Sequence, residues 1–176
     1  MFEQRAVAEN AFLADVNALR AQVRPILDTP SDDAKGAIAL LQTVLSAEIA
    51  CVLRYTNISV SPDGLKNGWI GKEFQEQAND ERRHMALAAE RIAQLGGVPD
   101  FSTDMLKSRE SAGASGFARN VTENLAAEQS VIAHYRELIT YFEPRDAQSC
   151  AILRDIIRDE EDHTNDMQDL LASYAG

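Results

Sequence analysis

The sequence holds three histidines, and two of them follow a glutamate by three residues: Glu81 and His84 in "ERRH", Glu160 and His163 in "EEDH". On a helix, side chains at i and i+3 project about 60° apart around the axis and about 4.5 Å apart along it, so both reach one cation. A single such pair is more often a solvated helix surface than a metal site. Two lone glutamates change that balance. Glu48, in "SAEIACVLRY", has Leu41, Val44, Leu45, Cys51, Val52 and Tyr55 as its neighbours at helical spacing, and none is charged. Glu128 is surrounded in the same way by Val121, Leu125, Val131, Ile132 and Tyr135. An unpaired carboxylate in such a place loses hydration at a cost of several kcal/mol. The ordinary remedy is a buried arginine, yet helical spacing puts no arginine or lysine on the inward face beside either glutamate. The chain offers two imidazoles and two further carboxylates instead. Two divalent cations would neutralise four carboxylates and replace lost hydration with coordination bonds.

The spacing brings these groups to one height. Glu48 precedes the turn after Val60 by 12 residues, and Glu81 follows the helix start near Trp69 by 12. Glu128 precedes Glu143 by 15 residues, and Glu160 follows Arg145 by 15. In antiparallel hairpins each lone glutamate is therefore level with an ExxH.

Apolar residues recur at helical spacing almost throughout, and no strict alternation argues for a strand, so the class is all-α. A first helix over about 3–24 carries Phe12, Val16, Leu19 and Val23 and is broken by Pro25 and Pro30. Ser31 is the expected N-cap of a second helix reaching Val60, where "SPDG" reads as a turn. A third runs from Trp69 to Leu95 and stops at Gly96 and Gly97; two more span about 118–142 and 146–174. The polar connection over 97–117 is long for a bundle loop. Extended, it reaches about 60 Å, enough to cross a bundle whose 25-residue helices are about 38 Å long. The architecture is a four-helix bundle with a long crossover between its second and third helices, preceded by an extra N-terminal helix. Its direction of crossing is not fixed by the sequence. One domain, 1–176, is expected, with 1–30 as the extension and 31–175 as the bundle.

The net charge of -11 and a pI near 4.7 argue against a phosphate-binding surface. The first 35 residues hold only Arg5, Arg20, Arg24 and Lys35 as bases, so DNA binding is not expected. Cys51 and Cys150 form no CxxC, which argues against a zinc ribbon or a redox dithiol. The start "MFEQRAVAEN" lacks signal-peptide features, and no run of about 18 apolar residues suggests a membrane span, so a cytoplasmic location is expected.

A lone glutamate from each of two helices plus Glu-x-x-His from each of the other two is the ferritin-like di-metal pattern. From Val44 to Met167 the chain resembles bacterioferritin and its Dps-like relatives, with "LAAEQSVIAHYRELI" and "RDEEDH" similar to the third and fourth core helices of that family. The resemblance implies terminal carboxylates at Glu48 and Glu128, bridging ones at Glu81 and Glu160, and histidine ligands at His84 and His163. Tyr55 falls where the family has a tyrosine beside the metals, and a packing role or a redox role both stay open. Arg82 stands where bacterioferritin has its haem-binding methionine, which argues against haem; Met85 reads as a core residue. The chain ends 13 residues past His163, without the short fifth helix of the 24-subunit cage, so a 12-subunit homo-oligomeric cage is favoured over 24. Relatives of this kind often carry a cysteine pair near the site. With the helices parallel as the family implies, Cys51 and Cys150 differ in height by about 20 Å, too far for a disulfide within one subunit. His134, six residues past Glu128, faces away from the ligands and reads as a surface or interface histidine; Trp69 reads as a packing residue or a subunit contact.

The implied function is ferroxidase with iron storage or detoxification: two iron ions bound within the subunit, Fe(II) oxidised by hydrogen peroxide or dioxygen, Fe(III) kept in a hollow oligomer. The oxygen-rich ligand set suits iron or manganese and admits zinc. The alternatives are a manganese catalase or peroxidase on the same ligands, or a non-catalytic structural or DNA-protecting shell.

Overall fold

The computed structural model describes residues 10–110 and 116–174 and contains no strand among them. Its helices are α1 (Ala11–Asp28), α2 (Ala34–Ser59), the short α3 (Pro62–Lys66), α4 (Gly68–Gln94), α5 (Phe117–Phe142) and α6 (Ala147–Tyr174), with a 3-10 turn at Lys107–Glu110. The part of the first helix expected before residue 10 lies outside the described residues. Asn10 caps α1 by accepting from the Leu13 N–H at 3.0 Å. The helix runs through Pro25 rather than ending there, because Pro25 sits in its last turn and removes only one ladder bond. Asp33, not Ser31, caps α2. "SPDG" forms a helical turn rather than a simple one: Ser61 caps it and Pro62 occupies its first position. A Cβ on Gly71 would lie 2.6 Å from the Gly64 carbonyl oxygen, so only glycine allows α3 to rest on the start of α4.

α2 packs along α4, and α5 along α6. Side-chain contacts fix the directions. Arg54, near the end of α2, donates to Asn124, near the start of α5, at 2.8 Å. Arg91, near the end of α4, pairs with Asp146 just before α6, at 2.8 Å. α2 is therefore antiparallel to α5 and α4 to α6, and the connection from α4 to α5 traverses the bundle. It is pinned on the way: Gln42 exchanges two hydrogen bonds with the Asp100 backbone, and the buried Asp15 carboxylate accepts from the N–H groups of Lys107 and Ser108.

α1 lies over the face formed by α2 and α5 and buries the expected stripe of Phe12, Val16, Leu19 and Val23, each worth about 1.5–3 kcal/mol relative to exposure. This cover corrects the reading of His134, which is 1% exposed. It also buries Arg54, 2% exposed, beneath the Phe12 ring at 5.0 Å. α2 is long and apolar enough to pass for a membrane span by composition, with a mean hydropathy of 1.9, but more than half of that window is buried inside the bundle. Met85 is partly buried against the core, whereas Trp69 is 58% exposed and packs little within the chain.

Candidate metal centre

The four bundle helices bring Glu48, Glu81, His84, Glu128, Glu160 and His163 together in the interior, each buried. Ligand atoms of Glu48, Glu81, His84 and Glu160 lie within 4.8 Å of one another, and so do those of Cys51, Glu81 and Glu128. Glu81 belongs to both groups. Its two oxygens divide between the histidines: Oε2 is 3.2 Å from His84 Nδ1 and Oε1 is 3.0 Å from His163 Nδ1. Glu160 does the same, with Oε1 at 3.2 Å from His84 Nδ1 and Oε2 at 3.3 Å from His163 Nδ1. Glu48 adds an oxygen 3.4 Å from His84.

The two lone glutamates are held by tyrosines in a crossed arrangement. Tyr55 on α2 donates to Glu128 on α5, and Tyr135 on α5 donates to Glu48 on α2. The Cys51 thiol donates to the same Glu128 oxygen at 3.5 Å. The histidines are held in a crossed manner as well. His84 Nε2 is 3.0 Å from Asp159, which Arg83 also grips, and His163 Nε2 is 3.5 Å from Asp80. A carboxylate on the outer nitrogen fixes the ring and leaves Nδ1 aimed at the centre.

One oxygen of each of Glu48, Glu81, Glu128 and Glu160 is buried without a hydrogen bond. The close histidine approaches to three of these oxygens are contacts of charge, not aligned hydrogen bonds. Arg54 does not serve them; its guanidinium is taken up by Asn124, Glu123 at 3.6 Å and Phe12. Among the described residues no lysine or arginine pairs with any of the four carboxylates. The electrostatics record the crowding. Burial, and then the Glu48 charge, push the Glu81 carboxyl up; burial and Glu160 push Glu128 well up. Burial alone would lower both histidines, but the close carboxylates of Glu160, Glu48 and Glu81 hold His84 far above its ordinary range, and those of Glu160 and Glu81 raise His163 to about 12. Four carboxylates with orphaned oxygens around two imidazoles are a donor set that fits two hard or borderline divalent cations, which replace the shared protons.

All six residues singled out as ligands by sequence, and Tyr55, meet here. Asp80, Asp159, Tyr135 and Cys51 join them. The first three have a signal in the chain: Asp precedes the glutamate of both ExxH motifs, and Tyr follows both lone glutamates by seven residues. Arg82, at the position of the family's haem ligand, reaches across to Thr56 at 2.9 Å. Both cysteines are free thiols; Cys150 faces the Ile139 carbonyl at 3.7 Å.

Residues 38–175 match the sequence profile of the ferritin-like domain. No curated protein matches the chain in sequence. Among solved structures it is similar to the dodecameric thioferritin of Bacteroides fragilis, described as a bacterioferritin-related protein. That similarity has a TM-score of 0.73 and 27% identity over 89% of this chain and 95% of the other. With that profile matched across most of its length, the chain belongs to the ferritin-like domain family.

Proposed function

We propose that this protein is a ferroxidase that takes up two Fe(II) ions per chain and keeps the Fe(III) product inside a hollow oligomer of 12 chains. The observation that carries the reading is the set of four buried carboxylates, each with an orphaned oxygen, around two histidines fixed by aspartates. Glu81 and Glu160 would bridge, since each already spreads its oxygens between both rings. Glu48 with His84, and Glu128 with His163, would complete the two positions. Iron supplies the redox chemistry: two Fe(II) give up one electron each, and with two protons these reduce one hydrogen peroxide to two waters; dioxygen is the other oxidant the centre would accept. The protein's part is to bind, orient and neutralise. Cation binding displaces the protons held between the histidines and carboxylates. Tyr55 and Tyr135 hold Glu128 and Glu48 by one oxygen and leave the other available. The dodecameric state of the Bacteroides fragilis protein supports the assembly of 12.

The test is Fe(II) oxidation by the Glu48→Ala/Glu128→Ala chain, with size-exclusion chromatography on the same samples. The parent is expected to oxidise two Fe(II) per chain rapidly and the variant to fall at least about 100-fold, towards solution oxidation. A variant as fast as the parent would overturn the proposal.

A further inference from the structure

The mouth of the α4–α6 groove contains a feature that the metal centre does not use. Trp69, Glu73, Asp166, Asp169, Leu170 and Ser173 line a recess of about 190 Å³. Farther along this groove aspartates are matched by arginine, as where Arg83 grips Asp159 and approaches Asp80 at 3.8 Å. No lysine or arginine pairs with Glu73 or Asp166 among the described residues. Burial, and then the facing Asp166, raise the Glu73 carboxyl above its ordinary range.

Gln77 is the second observation. It is 2% exposed, its amide lies on Glu73 with Nε2 3.3 Å from Glu73 Oε1, and its Oε1 is buried with no partner. The two ends of an amide exchange places by a half-turn of the side chain. That turn would set the Gln77 carbonyl about 3.3 Å from a carboxylate oxygen, where two acceptors repel unless a cation lies between them. Two oxygens at right angles on a cation, each about 2.1 Å from it, stand about 3.0 Å apart. Glu81, whose Oε1 is also orphaned, follows Gln77 by one helical turn, about 6 Å along α4.

We infer that Glu73, the Gln77 carbonyl and Asp166 form a further site for a hard divalent cation, Fe(II) or Mn(II), from which the cation passes to the metal centre. The binding half stands on these residues alone. The delivery half rests on the proposed reading of the centre.

Trp69 is the one tryptophan of the chain and lies one turn before Glu73, so it reports on this recess. Tb(III), a hard cation, would be titrated into the full-length protein with excitation at a wavelength absorbed by tryptophan alone. Glu81 is 12 residues, about 18 Å, along α4 from Trp69, too far for comparable sensitisation. The parent is expected to give sensitised emission that Mn(II) competes away, and Glu73→Gln/Asp166→Asn to lose affinity at least about tenfold. Glu48→Gln/Glu128→Gln should retain the emission. Equal emission from the parent and Glu73→Gln/Asp166→Asn would overturn the site, as would its loss in Glu48→Gln/Glu128→Gln. For delivery, anaerobic filling of the centre by Co(II), followed by its absorption, should slow about tenfold in Glu73→Gln/Asp166→Asn. Unchanged filling overturns delivery. If the parent centre takes up no Co(II) while Tb(III) emission persists, the proposed function and delivery fail and the site stands.

Discussion

The α2–α4 hairpin and the α5–α6 hairpin are two versions of one design. Glu48 and Tyr55 recur 80 positions later as Glu128 and Tyr135, and Asp80, Glu81 and His84 recur 79 positions later as Asp159, Glu160 and His163. Their differences separate the two cation positions. Arg83, before His84, clamps Asp159 onto that ring at 3.0 Å; the matching residue before His163 is Asp162, and Asp80 stands off at 3.5 Å. Three residues past the lone glutamate the first half has Cys51 and the second Val131, so one glutamate alone gains a thiol donor. Six residues past it the first half buries Arg54 and the second His134. The halves thus share a frame but give the two candidate cation positions unequal surroundings.

The largest effect expected from these differences is at the Arg54/His134 pair. The Thr43 hydroxyl donates to the Leu40 carbonyl, so His134 Nε2 must donate to Thr43 Oγ1 across 2.8 Å, leaving a bare, buried Nδ1 without a partner. Burial lowers this histidine to about 4. Because the folded value is below the unfolded one, the unfolded chain binds more protons between about pH 6.5 and 4. Stability from this group is complete above that window and declines as pH falls through it, by up to about 3 kcal/mol. Denaturation midpoints measured against pH should show the decline, and His134→Gln should flatten it; an unaltered slope would refute the assignment.

Next come the aspartates. Asp159→Asn should weaken Co(II) binding by up to about 100-fold and Asp80→Asn by nearer tenfold. Equal losses in equilibrium titrations would erase the inequality between the positions. The tyrosines should differ less. Tyr135→Phe is expected to cost about 2 kcal/mol of metal-free stability and Tyr55→Phe about 1, since Glu128 keeps the Cys51 thiol. Reversal of that order in thermal denaturation would show that the thiol contributes nothing. Smallest is Cys51→Val, which makes the first half match the second and should cost less than about 1.5 kcal/mol while reducing preference for zinc over manganese in competition dialysis.

The centre was legible because Glu48 and Glu128 break an apolar face that a helix must bury, and because ExxH has a fixed helical projection. Asp80 and Asp159 were not, since an acid beside an ExxH looks the same whether it faces water or the opposite hairpin's histidine. The surface reading of His134 fails for a different reason, and the burial of Arg54 has no sequence signal for the same one: both depend on where α1 comes to rest, and its stripe of Phe12, Val16, Leu19 and Val23 states that it packs but not on which face. The crossing direction likewise rests on tertiary contacts, Arg54 with Asn124 and Arg91 with Asp146.

Each tyrosine and each aspartate serves the opposite hairpin and not its own. One hairpin by itself therefore holds half a set of ligands and none of the groups that steady them. A synthetic helical pair with this pattern of Glu, Tyr, Asp, Glu and His is expected to capture cations only by joining a second identical copy, an arrangement that the present chain achieves by tethering its two hairpins.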